Sequence, residues 1–159
     1  FMCEHNNDGA MGLIVNKPLD DQILEKVLVQ LNVNSNETFQ PFSDIYFGGP
    51  VMFDRGILLH KYQIELYESV KLSDNFYLSS DKKAFKSIAE NPDNKSRFFL
   101  GHSGWSNGQL ESEIENGDWI VQETSPEFIF DVPEDKMWIM ALQSFGIEIS
   151  NFSTFGGKA

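Results

Sequence analysis

Apolar residues change their period several times along the chain. "AMGLIVN" (10–16) is apolar at both odd and even positions, the pattern of a strand buried on both faces. After Lys17-Pro18 the apolar positions become Ile23, Leu24, Val27, Leu28 and Leu31, the three-and-four spacing of a helix. Asp20 stands where an N-cap belongs, with Leu19 and Leu24 placed to staple the first turn. Residues 1–4 read as the end of a strand and 5–9 as a polar turn, while 32–43 form a polar connection. Strands are expected at 44–51, running into a Gly48-Gly49-Pro50 turn, and at 55–62, the two paired with each other. Another is expected at 75–80. Ser80 or Asp81 then caps a short helix holding Phe85 and Ile88, stopped by Asn91-Pro92.

The second half continues in the same style. "RFFLGHS" (97–103) predicts a buried strand. Ser106 and Gln109 have capping-box spacing, with Gly108 inside the first helical turn. Leu110 and Ile114 make a buried stripe, Glu111, Glu113 and Glu115 a solvated face, and Gly117 a left-handed stop. Strands are expected at 118–123 and 127–132. Pro133 opens a last helix filled by 137–145 and closed by Gly146. Helices mixed with hairpin-like strand neighbours predict an α+β fold over a regular alternating α/β one.

A chain of 159 residues suits one domain with its own core. No apolar stretch approaches the roughly 20 residues of a membrane-spanning helix, so no membrane association is expected. The single cysteine, Cys3, excludes an internal disulfide and fits a reducing, cytoplasmic setting. One cysteine and three histidines match no zinc-binding spacing, so neither metal nor cofactor is expected. The net charge is −12, with Arg55 and Arg97 the only arginines, which disfavours nucleic acid as a partner.

Candidate chemistry gathers at strand ends. Gly101-His102-Ser103-Gly104 has the strand-to-helix setting of a nucleophile elbow. However, Trp105 occupies the final glycine position and no histidine follows His102. The spacing of Gly101, Gly104 and Gly108 matches no phosphate-binding loop. Cys3 and His5 are two apart on a presumed strand and would share a face. His5, His60 and His102 all fall at strand–turn boundaries, so one cleft could collect them.

Three long motifs, "CEHNNDGAMGLIVNKP" (3–18), "YFGGPV" with "RGILLH" (46–60), and "LGHSGWSNGQLESEIENGDW" (100–119), resemble the YqgE/AlgH family of bacterial proteins. "MWIMALQSFGI" (137–147) and the "GGKA" ending are similar too. The resemblance implies a single α+β domain over 1–159, lacking about 25 residues upstream. Its fold would be a strongly bent, bifurcated mixed β-sheet forming a pseudo-barrel flanked by helices. It also implies a bacterial, cytoplasmic protein, carries a transcriptional-regulator label, and brings no catalytic residues. It draws attention to Cys3, Glu4, His5, Asn16, Pro18, Gly48, Gly49, Pro50, Gly56, His60, Gly104, Trp105, Gly108, Gln109, Leu110 and Trp119.

The leading expectation is a non-enzymatic binding or regulatory module acting through a protein partner or small ligand. Its candidate site comprises Cys3, His5, Asn16, Gly48, Gly49, His60, Gly104, Trp105 and Gln109, with an exposed apolar patch around Trp105. The alternatives are an enzyme or ligand binder using a Cys3/His5/His60 cleft, and a regulator that binds DNA directly, which the charge disfavours.

Overall fold

The computed structural model describes residues 1–30, 44–63, 68–81, 85, 87 and 95–147, with only the backbone of 27–30. The expected connection at 32–43, the contributions of Leu31 and Ile88, the Asn91-Pro92 stop and the "GGKA" ending lie outside them.

The organising element is β7 (Ser96–Ser106), which follows β1 (Met2–Asn6), β2 (Gly9–Gly12), β3 (Ile45–Phe47), β4 (Val51–His60), β5 (Val70–Ser73) and β6 (Phe76–Ser79). β4 runs antiparallel along one edge of β7, from His60 opposite Ser96 to Val51 opposite His102. The other edge is divided. β3 pairs in parallel with its first half, Ile45 opposite Phe98 and Phe47 opposite Leu100. β2 pairs antiparallel with its second half, Gly12 opposite Ser103 and Gly9 opposite Ser106. The sheet therefore forks at β7. Gly48 fills the fork, donating its N–H to Leu100 O at 2.9 Å and accepting from Ile14 N–H at 3.0 Å.

The strand path β1-β2-β7-β4-β6-β5 curls into a nearly closed barrel. Phe1, beside β1, packs its ring 4.7 Å from Phe76 of β6, across the gap between distant parts of that path. Both faces of β7 are buried over residues 97–101. Phe98 and Leu100 join Ile45, Leu58 and Phe85 on one side, where Leu19 and Leu24 add the edge of α1 (Asp21–Gln30). Phe99 joins Tyr46, Ile57, Leu59 and Ile129 on the other. The remaining described helices are α2 (Gln109–Glu115), α3 (Pro126–Asp131) and α4 (Glu134–Ser144). The result is the expected α+β pseudo-barrel with a bifurcated mixed sheet and flanking helices.

Several local signals operate as read. Asp20 accepts the Ile23 N–H at 2.8 Å, capping α1. Gly117 and Gly146 adopt left-handed φ values of 82° and 70° after α2 and α4. The Gly117 N–H donates to Ile114 O and the Asp118 N–H to Glu113 O, a complete Schellman turn.

Others are corrected. β3 and β4 do not pair with each other; β7 lies between them. Residues 127–132 are not a strand. Ser125 accepts the Phe128 N–H and Pro126 opens α3, so capping overrides the aromatic and β-branched content of "EFIF". Residues 118–123 make no strand, and Trp119, Ile120 and Val121 stand exposed. The ladder of β2 stops at Gly12 rather than reaching residue 16. Ser106 ends β7, and Gly108 is the N-cap of α2, at φ 75°. Ile114 is exposed rather than part of a buried stripe. Pro133 is the N-cap of α4 rather than its first helical residue. β5 was not anticipated from the sequence.

A Cβ placed on Gly49, whose φ is +153°, would lie 2.2 Å from the carbonyl carbon of His102. One on Gly104 would meet only Val51 Cγ2, at 3.7 Å. Gly49→Ala should therefore lose more than about 2 kcal/mol of stability. Gly104→Ala should stay within about 0.5 kcal/mol of the parent chain. Urea denaturation of both variants checks the contrast.

Candidate functional site

The turn after β7 assembles the most distinctive side-chain cluster. Trp105, near the end of β7, donates its indole N–H to Glu113 Oε2 at 2.8 Å. Trp119, two residues beyond the Schellman glycine, donates to the same oxygen at 2.7 Å. The other carboxylate oxygen accepts from Gln109 Nε2 at 2.9 Å, one helical turn earlier. Gln109 in turn accepts from both the backbone N–H and the hydroxyl of Ser106. The two indoles meet edge to face, with centroids 5.9 Å apart. Hydrogen bonds from Trp119, then Gln109 and Trp105, hold the Glu113 carboxyl below the usual carboxylate range.

This clasp lies beside the first hairpin. His5, Ala10 and Trp105 oppose one another across β1, β2 and β7. His5 Nε2 reaches Glu111 Oε1 at 2.6 Å, tying the exposed edge strand to α2. Thus His5, Trp105 and Gln109 gather around α2. Gly104 is exposed next to Trp105 on β7.

The other candidate residues lie in different settings. Cys3 packs against the core cluster containing Leu13 and Phe99, beside Phe1 and Met11. A register shift between Met2 and Glu4 interrupts the simple alternation that would align Cys3 with His5. Burial pushes the Cys3 thiol up to about 12, so it stays protonated at neutral pH and is a poor nucleophile or ligand. Asn16 is exposed in the turn before Lys17-Pro18. Gly48 and Gly49 are buried at the fork.

His60 is fully buried on β4. Its Nδ1 lies 2.7 Å from the Tyr62 carbonyl, which can only accept, so Nδ1 carries the proton. Nε2 is then the acceptor for the Ser79 hydroxyl at 3.0 Å. Ser79 lies 2.7 Å from the Ser69 hydroxyl. His102 lies on β7 opposite Val51. The three histidines therefore engage three separate sets of neighbours. Among the described residues, no group of three or more His, Cys, Asp or Glu is placed to hold a metal ion.

Sequence reasoning placed Glu113 on a solvated face and missed its role as the hub of the clasp. The available signal was its four-residue spacing from Gln109 between the two flanking tryptophans. The exposed run Trp119-Ile120-Val121 was missed because its apolar content resembles a strand.

Two measurements test this geometry. Burial lowers the His60 pKa below the ordinary histidine value, against the raising effect of the Tyr62 carbonyl. The unfolded chain therefore binds this proton more readily than the folded one. The His60 contribution to stability is intact above about pH 6.5 and declines as pH falls through the unfolded value. Long-range proton–nitrogen NMR spectra should show a neutral, Nδ1-protonated ring persisting below that pH. Separately, Glu113→Leu removes both indole acceptors, and tryptophan emission should shift to the red as Trp119 is released. Unchanged emission would show that the indoles are held without the carboxylate.

A family model described as AlgH-like matches residues 1–150. A UPF0301 protein of Proteus mirabilis is 37% identical over 164 residues, covering 100% of this chain and 87% of that protein. Another, from Pseudoalteromonas translucida, is 36% identical over 162 residues, covering 100% and 86%. The solution structure of the AlgH protein of Pseudomonas aeruginosa superposes with a TM-score of 0.74 at 33% identity, covering 99% of this chain and 84% of that one. A crystal structure of a Corynebacterium diphtheriae protein, 22% identical, shares the fold with a TM-score of 0.68 over 91% of this chain and 75% of the other. By sequence and by fold, the chain belongs to the AlgH-like family.

Proposed function

We propose that this protein is a non-enzymatic binding module, regulatory in effect, that works through a protein partner. The observation that carries the reading is the run Trp119-Ile120-Val121, exposed by 49%, 56% and 67%. Single exposed apolar residues are ordinary on a protein surface, whereas a contiguous run including a tryptophan is the composition of an interface. The Glu113 clasp holds the Trp119 indole by its N–H. An anchor ordered before binding loses less side-chain entropy on association. The protonated Cys3 thiol and the closed hydrogen bonding of His60 fit binding better than covalent chemistry. The net charge of −12 favours a protein partner over nucleic acid. A lone cysteine fits work in a reducing cytoplasm, and no helix among the described residues is long and apolar enough to cross a membrane.

Site-specific photocrosslinking tests the reading. A photoreactive residue at Val121 should give a discrete heavier adduct in the source cells, and the same residue at Lys71 on β5 should not. The adduct should disappear with Trp119→Ala. Equal labelling from both positions, or none from Val121, would overturn the proposal.

A further inference from the structure

The charge around the exposed run narrows the kind of partner. From Phe98 to Asp135 the chain holds nine carboxylate side chains and no lysine or arginine. Several of these carboxylates are engaged by other parts of the fold. Lys61 faces Glu127, Lys95 binds Asp131, Arg97 binds Glu134 and His5 binds Glu111. Glu115, Asp118 and Glu123 have no cationic partner among the described residues. They bracket the apolar run: Glu115 ends α2, Asp118 directly precedes Trp119, and Glu123 follows Val121 by two residues. The Schellman turn at Gly117 fixes the exit of the chain from α2 into this run.

Resting on the partner-binding reading above, we infer that Trp119, Ile120 and Val121, rimmed by Glu115, Asp118 and Glu123, dock a basic segment of another protein that carries an apolar anchor between lysines or arginines. The apolar run supplies the contact area, and the carboxylates supply the complement to positive charge. Acidic competitors are rejected because like charges oppose their approach, and neutral ones gain no attraction from the rim. Long-range attraction to the rim also raises the association rate, which makes binding sensitive to salt.

Selection from a random-peptide display library against the intact chain tests this. Recovered peptides should carry about twice the lysine and arginine content of the unselected library, next to an aromatic or aliphatic residue. A recovered peptide should bind about tenfold more weakly to Val121→Asp, which leaves the indole clasp in place. The triple variant Glu115→Lys, Asp118→Lys, Glu123→Lys should lose the basic preference while keeping the fold, checked by circular dichroism. Peptides that depend on Val121 but show no basic excess would overturn this inference and leave the partner-binding reading standing. Recovery of peptides indifferent to Val121 and Trp119, or of none, would overturn both.

Discussion

A buried strand must find hydrogen-bond partners for both of its edges, and β7 meets that requirement with three strands rather than two. β4 serves one edge. The other is shared between β3 and β2, so the sheet divides where one hands over to the other. Gly48 supplies both a donor and an acceptor at the division. The backbones come so close there that a Cβ on Gly48 would lie 2.2 Å from Gly101 O. At this point Gly48, Gly49 and Gly101 are explained by the fork itself.

The same strand carries the main buried charge. Arg97 is 6% exposed, and its guanidinium donates to Val15 O at 2.6 Å and Val132 O at 3.2 Å. It pairs with Glu134 at 3.0 Å and lies over the Tyr46 ring. The Tyr46 hydroxyl donates to the same Glu134 oxygen at 2.5 Å. A buried cation without partners is strongly destabilising, so each contact specifies where another segment must lie. Arg97 thereby connects the end of the first hairpin's descending chain, the α3–α4 link and the start of α4 to β7. Specificity of assembly is the stronger claim here, because the attraction within such a pair is offset by its desolvation.

Local signals were legible at several element ends. Asp20, Gly117 and Gly146 each act through bonds within a few residues, and their roles follow from sequence order. Pairing was less legible. "DIYFGGPV" and "RGILLHKY" adjoin in sequence and look like a hairpin, yet the Gly-Gly-Pro segment carries the chain around β7 instead of back along β3. Nothing local distinguishes these outcomes, because both bury the same residues. "EFIF" has strand composition, but Ser125-Pro126 begins a helix that places Ile129 in the core beside Phe99. The candidate residues separated for a related reason. Cys3 and His5 depend on alternation along β1, and one register shift is enough to give them different surroundings. The resemblance to a family conveyed the forked pseudo-barrel, which periodicity alone did not.

The run beyond α2 is where composition and outcome differ most. Its apolar residues would gain hydrophobic free energy from burial, and a strand would bury them, yet the protein leaves them in water. The turn at Gly117 and the Trp119–Glu113 bond fix the start of the run beside Trp105, and Ile120 and Val121 continue from there without joining a strand ladder. The clasp connects Trp105, Gln109, Glu113 and Trp119, four residues spread across the most recognisable motif of the chain. It leaves the cysteine and the buried histidine out. Within that motif Ser106, Gln109 and Glu113 form one chain of hydrogen bonds that ends on the two indoles. The Trp119 indole N–H is bonded and its ring meets Trp105, yet about half of the Trp119 surface stays in water.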